Sequence, residues 1–263
     1  MNQRKNRVRN NNQVLFWMGL ERTEENIPYD LGQAAIHSAS EQLTQISYEA
    51  YNLGASSQFV DNHFYNVVPF LKTLPKLNSL YPMITTVNIP YLTQLLQSQE
   101  TMDIFIQQAV KQIQSVNVTG YNIDFEPDRN DASTKLAPSF ATFLNRFSDA
   151  LHGVGKKLTV CIASWSYFWS WDLITKTRVD KVITMDTYAT HSDTFDHFFD
   201  KAIKNIPIDK LGLGLMYDPS VNQTELERRI KVIEQAGISE IDVWMFQNTT
   251  SMWWNAMFEF LHD

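Results

Sequence analysis

Asn122, Asp124 and Glu126 occupy alternate positions in the stretch TGYNIDFEPD, with Tyr121, Ile123 and Phe125 between them. Side chains of a β-strand point alternately to its two faces, so this spacing puts three polar groups on one face and three apolar groups on the other. Neighbours on the polar face lie about 6.5–7 Å apart along the strand, and twist brings their ends closer. Two carboxyl groups held that near one another repel as charges, which pushes one proton affinity upward; whether this keeps an acid protonated near neutrality depends on the fold around the strand. A carboxylic acid beside a carboxylate is suited to general acid and general base chemistry. Metal chemistry has less support. The six histidines are scattered, and HSDTFDHFFD (191–200) lacks the HExxH spacing or another closed ligand set; it reads as a solvated loop entering a helix. Cys161 is the only cysteine, which excludes an intramolecular disulfide, and the apolar run LTVCIAS around it marks a small core residue. No metal or cofactor is expected.

A strand of this kind needs a sheet to hold it. Runs rich in β-branched, aromatic and apolar residues recur along the chain: VLFWMGL (14–20), QISYEAYNL (45–53), YPMITTVN (81–88), GYNIDFEP (120–127), KLTVCIAS (157–164), KVITMDTYA (181–189), KLGLGLMYD (210–218) and IDVWMFQN (241–248). Helix-length segments separate them. TMDIFIQQAVKQIQSV and NQTELERRIKVIEQAG are amphipathic, and Gly237 falls where a helix C-cap is needed. Eight strands alternating with helices at about 30 residues per unit predict an α/β fold, a (β/α)8 TIM barrel, as a single domain over residues 13–263. The basic start MNQRKNRVRNNNQ followed by VLFWMGL imitates a secretion signal, but the apolar part runs straight into ERTEEN without a small-residue cleavage site. Removing it would also leave seven strands and an open barrel. It is therefore read as the first strand, with residues 1–12 as a disordered basic tail.

The barrel gives the polar face its meaning. Active sites of such barrels form at the C-terminal ends of the strands, where Asn122, Asp124 and Glu126 approach the end of the fourth. Three polar side chains in a row are expensive inside a barrel unless they face that mouth. The aromatic loop WSYFWSW (165–171) follows the fifth strand on the same side, where exposed rings such as Trp165 can stack on a ligand. MWWNAMFEFL near the C-terminus reads as a final amphipathic helix with Trp253 and Trp254 in the core. The chain has 263 residues, 44% of them hydrophobic and 13% aromatic, which suits a large core. Its net charge of -7 disfavours nucleic acid as a partner, and no apolar run reaches the length of a membrane span. Asn-x-Ser/Thr sites at Asn117, Asn222 and Asn248 are about as many as chance supplies, so localisation stays open.

The chain resembles the family-18 glycoside hydrolases, the chitinase-like barrels. Their fourth strand carries DGxDxDxE, matched here by Gly120, Asp124 and Glu126, with Thr119 and Asn122 in place of two aspartates. The chitobiase-like branch has the same asparagine. VDKVITMDTYA is similar to the family's Met-x-Tyr-Asp sixth strand, KLGLGLMYD to its seventh, and DVWMFQ to the eighth, which carries an aromatic platform. The third strand, MITTVNIP, lacks the family's Ser-x-Gly-Gly, and the sixth has one residue more than usual between Met185 and Tyr188.

The resemblance implies retaining hydrolysis of β-1,4-linked N-acetylglucosamine glycosides in which the substrate's own N-acetyl oxygen is the nucleophile. Glu126 would be the general acid and then the base. Asp124 would orient the acetamido group and help keep Glu126 protonated, Tyr188 would donate to the acetamido oxygen, and Asn122 would anchor Asp124 from below. Met185, Tyr217, Trp244 and Trp165 would complete the sugar site. On strand alternation Asp186, not Met185, shares a face with Tyr188, so Asp186 is expected to take over part of the acetamido contact. The implied partner is an oligosaccharide or polysaccharide containing N-acetylglucosamine, bound by a monomer in a shallow cleft, because the short connection from seventh to eighth strand leaves no space for an inserted α+β domain. A secreted or lysosomal location goes with the resemblance. Two other readings stay open: a chitinase-like lectin that has lost catalysis, and a barrel serving as an interaction scaffold. The first usually loses the glutamate present here as Glu126.

Overall fold

The computed structural model describes residues 12–18, 41–64, 66–128, 131–244 and 250–262. Its strands in chain order are β1 (Gln13–Met18), β2 (Gln45–Leu53), β3 (Phe59–Asp61), β4 (Ser79–Thr86), β5 (Gly120–Phe125), β6 (Lys157–Ile162), β7 (Lys181–Thr184), β8 (Leu211–Met216) and β9 (Glu240–Trp244). All except β3 are parallel to their neighbours, and β1 pairs with both β2 and β9, so eight strands close into a barrel. Each of the eight runs expected from the sequence supplies one of them. The short β3 turns back antiparallel along the end of β2. Three residues are too few to display a period, so it left no sequence signal. Positions 19–20 and 245–248 of two expected strands, and 1–11 of the expected tail, lie outside the described residues. Asn12 is tied down, its Nδ2 donating to Phe260 O at 2.8 Å.

The outward faces of the strands bury apolar side chains under the helices. Tyr121, Ile123 and Phe125 of β5 are wholly buried. The Tyr121 hydroxyl donates to Ala109 O in the helix Gln99–Ser115 at 3.1 Å. Phe125 meets Phe140 and Phe143 of the helix Ala137–His152 at ring distances of 6.0 and 6.2 Å. Each such ring contributes about 1.5–3 kcal/mol by leaving water, which fixes the polar alternates on the inner face. The helices start where the sequence offers caps. Ser98 and Thr101 form a reciprocal capping box, and Asn222 Oδ1 accepts from Glu225 N at 3.0 Å at the start of the helix Gln223–Gln235. Gly237 just after that helix has φ +78°, a left-handed conformation that favours glycine. Trp253 and Trp254 are fully buried in the helix Ser251–His262, as expected. The connection from β8 to β9 holds the helix Gln223–Gln235 and no inserted domain.

The inner face is polar from the floor upward. Lys181 Nζ pairs with Glu240 Oε2 at 3.1 Å, and Gln45 Nε2 donates to Gln13 Oε1 at 2.8 Å. Above Glu240 on β9 comes Asp242, wholly buried, with neither carboxyl oxygen hydrogen-bonded. Gly212 of β8 makes room for it: a Cβ there would lie 2.4 Å from Asp242 Oδ2.

Candidate active site

Gly120 sets the course of β5. A Cβ on it would lie 2.2 Å from Lys157 O, so only glycine lets β5 and β6 approach at their starts. From there the inward positions climb through Asn122, fully buried, and Asp124, 6% exposed, to Glu126, half-buried just past the strand. Glu126 N still donates to Thr86 O at 2.8 Å, which carries the ladder to the barrel mouth.

A cavity of about 170 Å³ opens on this pair. Met185 and Tyr188 line it from beyond β7, Trp165 from beyond β6 and Trp244 from the end of β9. Trp17 of β1 and Cys161 of β6, which sequence reasoning did not assign to a site, also line it. Strand alternation alone could have found Trp17, since it shares the inward parity of Leu15 on β1. Its ring packs on Trp244 at 5.7 Å and 63°, while Trp165 is braced at 90° by Trp169, 5.3 Å away. Two buried polar atoms in the wall, Asp124 Oδ1 and Trp17 Nε1, have no hydrogen-bond partner.

Asp124 and Glu126 line the same cavity and bear on one another's charge. Burial first, then the Glu126 charge, push the Asp124 carboxyl well above the usual range. Burial also raises Glu126, while Asp124 acts the other way. Both carboxyl groups are thus raised, which favours a proton held on the pair, as the sequence expects of two carboxyls this close. Burial likewise keeps the Tyr188 hydroxyl and the Cys161 thiol protonated, so both are neutral donors.

Asn122, Asp186 and Tyr217 are placed otherwise than the sequence suggests. Asn122 does not reach up to Asp124, because both ends of its amide are engaged with β6: Nδ2 donates to Thr159 Oγ1 at 2.8 Å and Oδ1 accepts from Cys161 Sγ at 3.4 Å. Asp186 does not share a strand face with Tyr188. β7 stops at Thr184, and residues 185–188 form a turn closed by Tyr188 N donating to Met185 O at 3.1 Å and braced by Thr184 Oγ1 and Thr187 Oγ1, 2.8 Å apart. The additional residue is taken up in that turn, so Met185 and Tyr188 both return to the cavity. Asp186 instead points to β6, its Oδ1 accepting from Ser164 N at 2.9 Å, and it fixes the start of the Trp165 loop. Tyr217 is not among the described residues that line the cavity; it is half-buried with its ring 5.8 Å from Trp253.

Tyr188 is held from two sides. Gly214 of β8 leaves space for its ring, since a Cβ there would lie 2.6 Å from Tyr188 Cε1 and 2.0 Å from Thr184 O. The chain after Tyr188 is clamped by Arg229, 1% exposed, whose Nη1 and Nη2 donate to Ala189 O and Thr190 O at 2.7 and 2.9 Å while Nε donates to Glu225 Oε1 at 2.7 Å. A buried guanidinium with all these partners satisfied locks the backbone it grips.

Solved structures superpose on this barrel over nearly its whole length. A chitinase from Chromobacterium violaceum ATCC 12472 matches with a TM-score of 0.76 at 14% identity, covering 96% of this chain and 99% of its own. The chain has the fold of solved chitinases. The spore cortex-lytic enzyme SleL of Bacillus megaterium QM B1551 gives 0.78 at 11% identity over 96% of this chain and 74% of its own. A glycoside hydrolase family 18 N-acetylglucosaminidase from Paenibacillus barengoltzii gives 0.70 at 11% identity over 95% and 100%. No family model and no curated protein sequence matches the chain. Within this chitinase fold the Asp124–Glu126 pair stands at the C-terminal mouth, where (β/α)8 barrels do their chemistry.

Proposed function

We propose that the protein is a retaining β-N-acetylglucosaminidase that cleaves chito-oligosaccharides, chitin or the chitobiose core of N-glycans with help from the substrate's acetamido group. The observation that carries this reading is that Asp124, Glu126 and Tyr188 line one aromatic-walled cavity at the barrel mouth. The fold shared with chitinases and an N-acetylglucosaminidase supports it. At about 170 Å³ the cavity is smaller than the roughly 300–1,000 Å³ of most small-molecule sites, which suits one sugar unit with the rest of the glycan lying across the mouth.

The unpartnered Asp124 Oδ1 is suited to accept the acetamido N–H. Donation to it favours Asp124 as the carboxylate, and the charge of that carboxylate favours the protonated form of Glu126, the acid the reaction needs. Tyr188 donates to the acetamido oxygen and steers it toward the anomeric carbon. As the C–O bond to the leaving sugar breaks, Glu126 gives that oxygen its proton, and the acetamido oxygen bonds to the anomeric carbon to form an oxazolinium ion. The Asp124 carboxylate offsets its positive charge. Water then attacks the same carbon and passes a proton to Glu126, which leaves a product of retained configuration.

The test is release of fluorophore from 4-methylumbelliferyl chitobioside and chitotrioside by the purified protein and by Glu126→Gln. Turnover is expected in the parent, with a loss of about 100- to 10,000-fold in the variant. Tight sugar binding without turnover in the parent would replace the enzyme reading by a lectin. Efficient cleavage of a glucoside that lacks the acetamido group would remove the substrate-assisted step.

A further inference from the structure

The outer surface of the barrel has a groove of about 530 Å³ where the helices Gln223–Gln235 and Ser251–His262 meet. Ile230, Ala256 and Phe260 give it an apolar floor. Glu227, Glu234 and Glu259 stand along it, with Lys231 between them. Glu234 is already engaged, so the charge open to a partner is that of the exposed Glu227 and Glu259. Glu227 is bonded to the neutral amide of Gln223, at 2.7 Å. Both helices end at the floor of the barrel, and the partial negative charge of their last carbonyls favours cations there.

The chain enters the barrel beside this groove. Gln13 N donates to Ser239 O at 2.8 Å, just beyond the first of the two helices, and Asn12 Nδ2 donates to the carbonyl of Phe260, a floor residue, at 2.8 Å. Residues that precede Asn12 therefore set out from the lower end of the groove. Residues 4–9, RKNRVR, hold four cations and no acid. In an extended chain Lys5, Arg7 and Arg9 share one face and Asn6 and Val8 the other. Lys5 to Arg9 then spans about 13 Å, close to the roughly 12 Å of helix rise from Glu227 to Gln235. The three steps from Arg9 to Asn12 cover up to about 10 Å, enough to reach the groove from the point of anchorage.

We propose that residues 4–9 lie extended in this groove, with Val8 on the apolar floor, Arg7 and Arg9 toward Glu259 and Lys5 toward Glu227. The basic segment thereby clasps the first strand to the helix Ser251–His262 across the seam where β1 meets β9. Long basic side chains can lay their stems on the floor while their charges reach the rim. A second copy of the chain fits the groove less well, because its net charge of -7 brings acid to acid. The clasp lies on the outside of the barrel and does not depend on the glycosidase reading.

Carbodiimide joins an amine to a carboxylate that touches it, and Lys5 is the only lysine in the segment. Coupling the parent protein at low salt, with equal parts of 15N-labelled and unlabelled chain, should join Lys5 to Glu227 or Glu259 within one chain, as read by mass spectrometry. The yield should fall severalfold in 1 M NaCl, where charges are screened beyond about 3 Å. Charge reversal supplies a second measurement. Arg7→Glu with Arg9→Glu should lower Tm by about 2–4 °C at low salt, and adding Glu259→Lys should recover most of the loss. Lys5 joined only to a second chain would overturn the proposal and make the groove an interface between copies. The absence of any product between Lys5 and these two glutamates would also overturn it, as would a Tm unmoved by the reversal.

Discussion

Asp242 makes the folded protein weaker as pH rises, and Asp242→Asn should remove that dependence. The carboxyl is wholly buried and neither oxygen has a partner; burial first, then the Glu240 charge, push it well above the usual carboxylate range, against the partial relief of Lys181. Unfolded, it titrates near pH 3.9. Below that both states hold the proton, and parent and variant should be about equally stable. Above it the unfolded chain releases the proton while the folded chain keeps it, so the parent loses about 1.4 kcal/mol per pH unit relative to Asp242→Asn until the folded group also ionises. The lead of the variant should therefore grow with pH through the acidic range and level off only where the folded carboxyl itself ionises. Urea melts of both proteins at pH 4, 5, 6 and 7 follow the effect, which is read as the titration of Asp242 together with the Glu240–Lys181 pair that acts on it. A difference that stays constant from pH 4 to 7 would refute the reasoning and imply a partner for the carboxyl in solution.

Gly214→Ala should damage both stability and turnover, because its Cβ would press on Thr184 O at 2.0 Å, a backbone atom that cannot step aside, and on the Tyr188 ring at 2.6 Å. A loss of about 1–3 kcal/mol in thermal unfolding and about 100-fold in kcat is expected, and unchanged kcat would break the link between this glycine and Tyr188. Tyr167 stands 81% exposed two residues after Trp165, in a loop whose Phe168 and Trp169 are spent on the core. Tyr167→Ala should raise KM for chitotetraose about 2- to 10-fold while leaving chitobioside unaffected, and Tyr167→Phe should match the parent; equal effects on both substrates would show that the ring does not stack on the longer chain.

The barrel was legible because each inner strand is a compact apolar run with Gly or polar punctuation, and because β5 states its two faces without ambiguity. What escaped notice did so for local reasons. The turn after Thr184 depends on hydroxyl bonds of Thr184 and Thr187 that end the strand early, so counting by twos through Met185, Asp186 and Tyr188 assigned Asp186 the wrong face. Asn122 had the right parity, but its partners lie on β6, and no reading of one strand reports what a neighbouring strand offers.

The fit between Gly212 and Asp242 also constrains how this chain can drift. The two positions fill one volume, with a Cβ at 212 already within 2.4 Å of Asp242 Oδ2. Any side chain at 212 is tolerable only after 242 has become smaller, while shrinking 242 first leaves a void whose cost depends on how far the barrel can collapse. The order of two substitutions therefore matters more than either one, and lineages sharing this barrel should differ at both positions or at neither.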